Sequence, residues 1–462
     1  MTTVLSYIYP VLFGIALFSL IFWFFFKGNR DWSKKMRNTF FLSFLGYLGV
    51  MLLAPSSLLT GKLLLLARDL TLMGVLSTLF SRFKTNKFLF FGMLAGLVGA
   101  LSFGGFQYLQ QSYLQQTLWP SVTELANLDP QNELLVEIAE GEDVLQLEDI
   151  FKKYELEYEQ AFTDMDHPEW TDLDDFYALN IPKRKVFKIK EIMDALNQSP
   201  IVDLVEENER ILLGPVMESK DVEATKKEFQ LNDPEIGNLW GFDKMNIDQL
   251  INLIKTDEIK PKRKAVIAIL DTGVDSKHED IKDNYTSFAR KFDDDPHSHG
   301  THCAGIAAAV SNNGKGIASF STENQFVQVS SVKVLNSYGM GSQRSIINGI
   351  LKAADNKADV ISMSLGGPSN DKKQKAYEKA IRYANQRGAI VVAAAGNENI
   401  NAITRSPANV DGVIAVSAID QNLNKATFSN EVQDLRMGIA APGVNIYSTI
   451  PDNKYAFYNG TS

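Results

Sequence analysis

Hydrophobic and polar positions follow two different patterns along this chain. Over residues 1–119 the apolar residues form long runs, at 4–26, 40–53, 63–80 and 88–108, broken mainly by basic clusters and by a possible turn at Pro55, Ser56 and Ser57. About 20 consecutive apolar residues are needed for a helix to cross a bilayer. The runs therefore predict a membrane domain over 1–110 with four helices. Four crossings put Lys27, Arg30, Lys34, Lys35 and Arg37 on the same side as Arg82, Lys84 and Lys87, which satisfies the positive-inside rule. A three-crossing alternative lays 63–80 in the membrane interface and separates the two clusters. The first run lacks a basic flank before it and a small-residue cleavage site after it, so a removable signal peptide is not expected. Arg68 and Asp69 are adjacent inside the third run and are expected to satisfy each other or a neighbouring helix.

Beyond residue 119 the apolar runs shorten to strand and helix lengths. Strands are predicted at 134–138, 156–162 and 201–205, with helices at 142–151 and 186–196. That alternation suggests a small ferredoxin-like domain over 120–211. Residues 163–185 interrupt it as an acidic, aromatic insertion with Pro168 and Pro182. Asp164, Asp166, His167 and Glu169 lack metal-ligand spacing, and a solvated loop is the expectation there. Residues 212–231, with Gly214-Pro215 and a charged run at 218–228, predict a linker. From 265 the pattern changes again. Apolar runs at 265–270, 360–364 and 390–395 mark buried parallel strands of an α/β domain spanning 232–462.

Charge reinforces the division. Residues 1–119 hold ten Lys and Arg against two acidic residues, whereas the remainder carries 36 against 53. So acidic a remainder disfavours nucleic acid as a partner. Cys303 is the single cysteine, so no internal disulfide forms.

The chemistry lies at the ends of the predicted parallel strands, where open α/β sheets place their sites. The first ends in Asp271-Thr272-Gly273. Ser298-His299-Gly300-Thr301-His302-Cys303-Ala304-Gly305 follows, then Ser362-Met363-Ser364-Leu365-Gly366-Gly367, Ala393-Ala394-Ala395-Gly396-Asn397 and finally Asn459-Gly460-Thr461-Ser462. In order and spacing these stations resemble the subtilisin-like serine proteases (the subtilases), over about 232–462. Trp240-Gly241, Phe428-Ser429-Asn430 and Ala440-Ala441-Pro442-Gly443 add to the likeness.

The resemblance implies a serine endopeptidase acting on protein or peptide substrates. Asp271 would orient His299, His299 would act as general base, Ser462 would be the nucleophile and Asn397 would donate to the oxyanion hole. Ser364, Leu365 and Gly366 would line the substrate cleft, continued by Ala394, Ala395 and Gly396. The small residues there suggest a preference for bulky apolar side chains over a charged primary pocket. His302 is expected to be structural, and Cys303 to be a buried small residue. The family also implies structural calcium, for which Asp280, Asn312 and Asn313 are candidates; the alternative is a metal-free turn. The 120–211 domain resembles the family's inhibitory prodomain, ending in Ile201-Val202-Asp203-Leu204-Val205-Glu206-Glu207-Asn208, and would act as an intramolecular inhibitor cut off near 212–232.

The expected architecture is thus multi-pass membrane helices, an α+β ferredoxin-like prodomain and an α/β catalytic domain with a parallel sheet. The lipid bilayer would be a partner, and the prodomain and protease would face the outside of the cell membrane. The family continues past the serine with a central helix. A catalytic domain ending at Ser462 is therefore expected to be a truncated piece of a longer reading frame, with impaired folding or activity as it stands. The competing reading is a membrane sensor or scaffold carrying an inactive protease-like domain.

Overall fold

The computed structural model describes residues 2–52, 59–100, 109, 125, 127–214, 217–218, 229–321, 324–369 and 374–462. The chain divides into two compact units, one of residues 1–126 with 183–194 and the other of residues 127–182 with 195–462.

The first unit contains α1 (Thr2–Phe25), α2 (Arg30–Leu52), α3 (Leu59–Arg82) and α4 (Lys87–Ala100). This corrects the four-crossing, multi-pass expectation. Among the described residues, only Ile8–Phe25 is a helical window long and apolar enough to cross a membrane, and its apolar companion in α4, Lys87–Val98, is shorter. The physical reason lies in where helices begin and end. The second apolar run shares α2 with Arg30, Asp31, Lys34, Lys35 and Arg37, and the third shares α3 with Lys62, Arg68, Asp69 and Arg82. A single such window also suits a signal sequence or a core helix, so multi-pass localisation is withdrawn. Asp69 is fully buried and well satisfied: Arg68 Nε donates to it at 2.8 Å, Tyr47 at 2.8 Å, and Tyr9 also donates. The predicted turn at 55–57 and the end of the fourth run lie outside the described residues.

In the second unit, β1 (Leu134–Ile138), β2 (Glu157–Gln160), β3 (Phe176–Asn180) and β4 (Val202–Glu207) form an antiparallel sheet of order β2-β3-β1-β4. A separate ferredoxin-like domain is not what forms. This sheet shares one compact unit with the α/β region, and Leu135, Phe162, Leu173, Phe176 and Ala178 join the same apolar core as Ile347, Ile350, Ala380 and Ile381. Burying both sets in one core removes apolar area that neither could cover alone.

Residues 163–185 likewise depart from a solvated loop. They supply β3, and Asp172 pairs with Lys379 at 2.8 Å and Asp166 with Arg387 at 3.0 Å. Residues 219–228, most of the predicted charged linker, lie outside the described residues.

The chain then forms β5 (Arg210–Leu212), β6 (Ala265–Asp271), β7 (Val327–Lys333), β8 (Met340–Ser342), β9 (Val360–Met363), β10 (Gly367–Pro368), β11 (Ile390–Ala394), β12 (Arg405–Ser406), β13 (Val413–Ile419), β14 (Gly438–Pro442), β15 (Ile446–Ile450) and β16 (Lys454–Asn459). Six of them make a parallel sheet of order β14-β13-β11-β9-β6-β7. Its central strands read as near-continuous apolar runs because crossover helices cover the faces of a parallel sheet. A capping box between Ser342 and Ser345 starts the helix Gln343–Asp355. The sheet therefore aligns the carboxyl ends of β6, β9 and β11, which carry Asp271, Ser364 and Ala394.

Candidate active site

Asp271 is the last residue of β6 and is fully buried. His299 opens the helix His299–Ala308, and its Nδ1 lies 2.9 Å from both Asp271 carboxylate oxygens. Gly300 makes this approach possible, because a Cβ there would collide with the Gly273 carbonyl oxygen. Burial pulls the His299 pKa down, but the charges of Asp271 and then Asp295 outweigh it, and the net shift is upward from 6.5.

Asp295 is a site residue that the sequence motifs do not reveal, although it closes the run Asp293-Asp294-Asp295 just before the histidine motif. Its carboxylate accepts from the Thr272 hydroxyl at 2.8 Å, from the backbone of His297 and Ser298 at 3.0 Å, and from both the backbone and hydroxyl of Thr301. It thereby ties the end of β6 to the start of the His299 helix.

His302 has a different environment. Its Nε2 sits 3.1 Å from the Ala456 carbonyl oxygen, its ring stacks on Tyr458, and burial pushes its pKa down to about 3. It is a neutral packing residue. Cys303 lies with Asp271 and His299 in a group whose ligand atoms are all within 4.8 Å. Its thiol is buried and donates to Ser364 Oγ at 3.4 Å, and burial pushes its pKa well above 9. A neutral thiol is a poor nucleophile and a poor metal ligand.

Ser364, Leu365, Gly366, Ala394, Ala395, Gly396, Asn397 and Ser462 line one cleft together with His299. The Asn397 side-chain oxygen accepts from the Thr461 backbone at 2.9 Å and hydroxyl at 3.0 Å. With its oxygen engaged, the amide has its NH2 left to donate. Thr461 also accepts from the Gly396 backbone at 3.1 Å, so the residue before Ser462 is tied to the Gly396–Asn397 segment of the cleft.

The cleft contains a further segment that the composition of 212–231 assigns to a linker. Leu212, Leu213 and Gly214 line it. β5 pairs antiparallel with β8, and the Leu213 N–H donates to the Gly339 carbonyl at 2.9 Å. Met217 and Glu218 then pair with Asn459 and Tyr458, immediately before Gly460-Thr461-Ser462. This stretch thus pairs with β8 and, further on, with the end of β16, which leads directly to Ser462.

The calcium candidates are only partly brought together. The Asp280 carboxylate, whose pKa burial pushes up to about 6, accepts from Asn313 Nδ2 at 2.7 Å and from the Ile317 backbone at 2.9 Å. Asn312 instead uses its side-chain oxygen to accept from the Asn232 backbone at 3.0 Å. Asp233, which no sequence motif marks, approaches the same loop and accepts from the backbones of Asn312 and Asn313.

Residues 262–462 match the sequence profile described as the Subtilase family. Thermitase of Thermoactinomyces vulgaris is 43% identical over 205 residues, which cover 43% of this chain and 70% of thermitase. Subtilisin DY of Bacillus licheniformis is 40% identical over 222 residues, covering 46% of this chain and 78% of the relative. A thermophilic serine proteinase of Bacillus sp. (strain AK1) is 35% identical over 283 residues, covering 60% and 64%. A parallel sheet bearing a carboxylate–imidazole pair, and relatives at this identity, lead to one conclusion: the chain belongs to the subtilase family of serine endopeptidases.

Proposed function

We propose that this endopeptidase works through Asp271, His299 and Ser462, with Asn397 stabilising the oxyanion. The observation that carries this reading is the hydrogen-bonded Asp271–His299 pair opening onto the cleft that also holds Ser462 and Asn397. Ser462 Oγ attacks the substrate carbonyl carbon while His299 Nε2 takes the hydroxyl proton. Asp271 holds the Nδ1 proton and stabilises the imidazolium. Asn397 Nδ2 donates to the developing oxyanion. His299 then returns the proton to the leaving amine, and water hydrolyses the acyl ester by the reverse sequence. Hydrolysis of a protein substrate that disappears in Ser462→Ala tests the assignment.

The segment in the cleft supports a second statement, that the region before the catalytic domain restrains it. Strand addition at β8 uses the backbone pairing an extended substrate would need. Ile211, at 2% exposure, fixes β5 by packing against Gly367. Ile211→Asp puts an unpaired charge in that contact and is expected to raise the initial hydrolysis rate of uncut protein severalfold. A chromogenic peptide assay on freshly purified protein measures this, and an unchanged rate contradicts the restraint. Cleavage of the chain near 212–232 is expected in the active protein and absent in Ser462→Ala.

Calcium is proposed as a structural ion. What supports this is the fully buried Asp280 carboxylate, which takes hydrogen bonds from Asn313 Nδ2 and the Ile317 backbone but whose charge no ion pair among the described residues neutralises; Asp233, and Asn313 with its amide oxygen turned inward, would complete the set. Calcium when bound would supply charge compensation for Asp280. With calcium at about 100 times its dissociation constant, folding should gain about 2.7 kcal/mol. A thermal melt should therefore show a calcium-dependent rise in Tm that Asp280→Ala removes. An equal rise in that variant counts against the site.

A further inference from the structure

Arg405 is a cation in the cleft that none of the assigned roles uses. It lies on β12, which pairs antiparallel with β10, so that Arg405 faces Pro368 and Ser406 faces Gly367. This pairing hangs the arginine beside the Ser364–Leu365–Gly366 wall. A Cβ on Gly366 would stand 2.9 Å from the Ser406 carbonyl oxygen, so the two segments are in close contact. Arg405 lines the same cleft as Ser462, His299, Ala394, Ala395 and Gly396.

Its side chain is 17% exposed, and its Nε is buried with no hydrogen-bond partner among the described residues. One guanidinium nitrogen, NH2, reaches Glu398 Oε1 at 3.4 Å, a long contact to a carboxylate whose side chain is 49% exposed. The other Glu398 oxygen accepts from Asn430 Nδ2 at 2.8 Å. Glu398 is therefore shared with Asn430 and screened by water, and it leaves the guanidinium incompletely paired. The segment now in the cleft brings Leu212, Leu213 and Gly214, none of which has a side-chain acceptor.

A buried donor left unmade carries a desolvation penalty that a correct ligand removes. The planar guanidinium fork matches a carboxylate better than any neutral side chain. Ala394 and Ala395 line the same cleft with side chains of a single methyl group, and Gly396 with none. We propose that Arg405 makes the cleft select an acidic side chain, glutamate or aspartate, on the substrate residue whose carbonyl Ser462 attacks. This rests on the assignment of Ser462 as nucleophile. It also replaces the apolar preference that the small wall residues alone suggested.

The test uses the full chain and four chromogenic tetrapeptides that differ only in the residue before the scissile bond: Glu, Gln, Leu or Lys. Glu should exceed its isostere Gln in kcat/KM on the order of 10- to 100-fold, because the site then has its donors filled. Arg405→Gln should abolish that ratio while retaining hydrolysis of the Leu peptide, which shows an intact fold. Glu398→Gln should raise the ratio by freeing the guanidinium. Equal or faster cleavage of the Gln or Leu peptide by the unmodified protein overturns the proposal. So does hydrolysis of a general protein substrate with none of the four peptides cut. If Ser462→Ala retains full hydrolysis, the nucleophile assignment fails, and the Glu-to-Gln ratio then tests Arg405 separately.

Discussion

Replacing Ser462 by Ala should reduce peptide hydrolysis on the order of 10⁴-fold or more while leaving the fold intact. The hydroxyl oxygen is the only heavy atom lost, and Ser462 is exposed, so the stability change should stay within about 0.5 kcal/mol. The residual rate would come from substrate binding and from the Asn397 amide. Cys303 sets the competing expectation, because its sulfur lies with Asp271 and His299. A thiol nucleophile would survive Ser462→Ala and be lost on alkylation or in Cys303→Ala. Burial and the raised thiol pKa argue against it. Rates for the two single variants on one substrate decide between the oxygen and the sulfur nucleophile.

Asp271→Asn should lower kcat/KM on the order of 10³- to 10⁴-fold. The Thr272 N–H, which donates to Asp271 Oδ1, would hold the amide oxygen and turn the NH2 toward Nδ1, where it donates rather than accepts, so the tautomer with a free Nε2 is no longer favoured. The substitution also removes the largest influence raising the His299 pKa. The sign follows from the base role. His299 must be neutral to accept the serine proton, so activity falls as pH drops through its pKa. In the unmodified protein that acid limb should lie above 6.5, and in Asp271→Asn burial should bring it lower. A pH–rate profile measures both. Asp271 acting only as a structural support would lower the rate without moving the limb.

Much of this site is legible in the sequence because its residues sit at predictable places. The apolar run 265–270 announces a covered parallel strand, and the residue at its carboxyl end is Asp271. The glycines and alanines after His299 signal a helix packed closely on that strand end, which the contact at Gly300 explains. Arg405 carries no such signal. It lies in a stretch with no strong periodicity and reaches the cleft only through the two-residue pairing of β12 with β10. Asp295 is similarly hidden, because its importance comes from five hydrogen bonds that only the folded loop creates.

The mismatches also have physical causes. Counting apolar runs makes four crossings, but helix boundaries mix two of those runs with charged residues. Strand and helix periodicity locates β1 and β4, yet periodicity says nothing about whether a sheet owns its core. Phe162 and Phe176 are buried with Ile347, Ile350, Ala380 and Ile381 of the α/β region, so the sheet is not a separate domain. The acidic character of 163–185 suggests solvent, whereas Lys379 and Arg387 supply counter-charges from distant parts of the chain.

The central claim is that Ser462 is the nucleophile activated by His299 and Asp271. A fluorophosphonate probe reacts covalently with an activated serine and remains attached, so peptide mapping identifies the residue. A single phosphonylated site at Ser462 is expected, with labelling lost in His299→Ala. Labelling at another residue, or labelling of Ser462 that persists without His299, would contradict it.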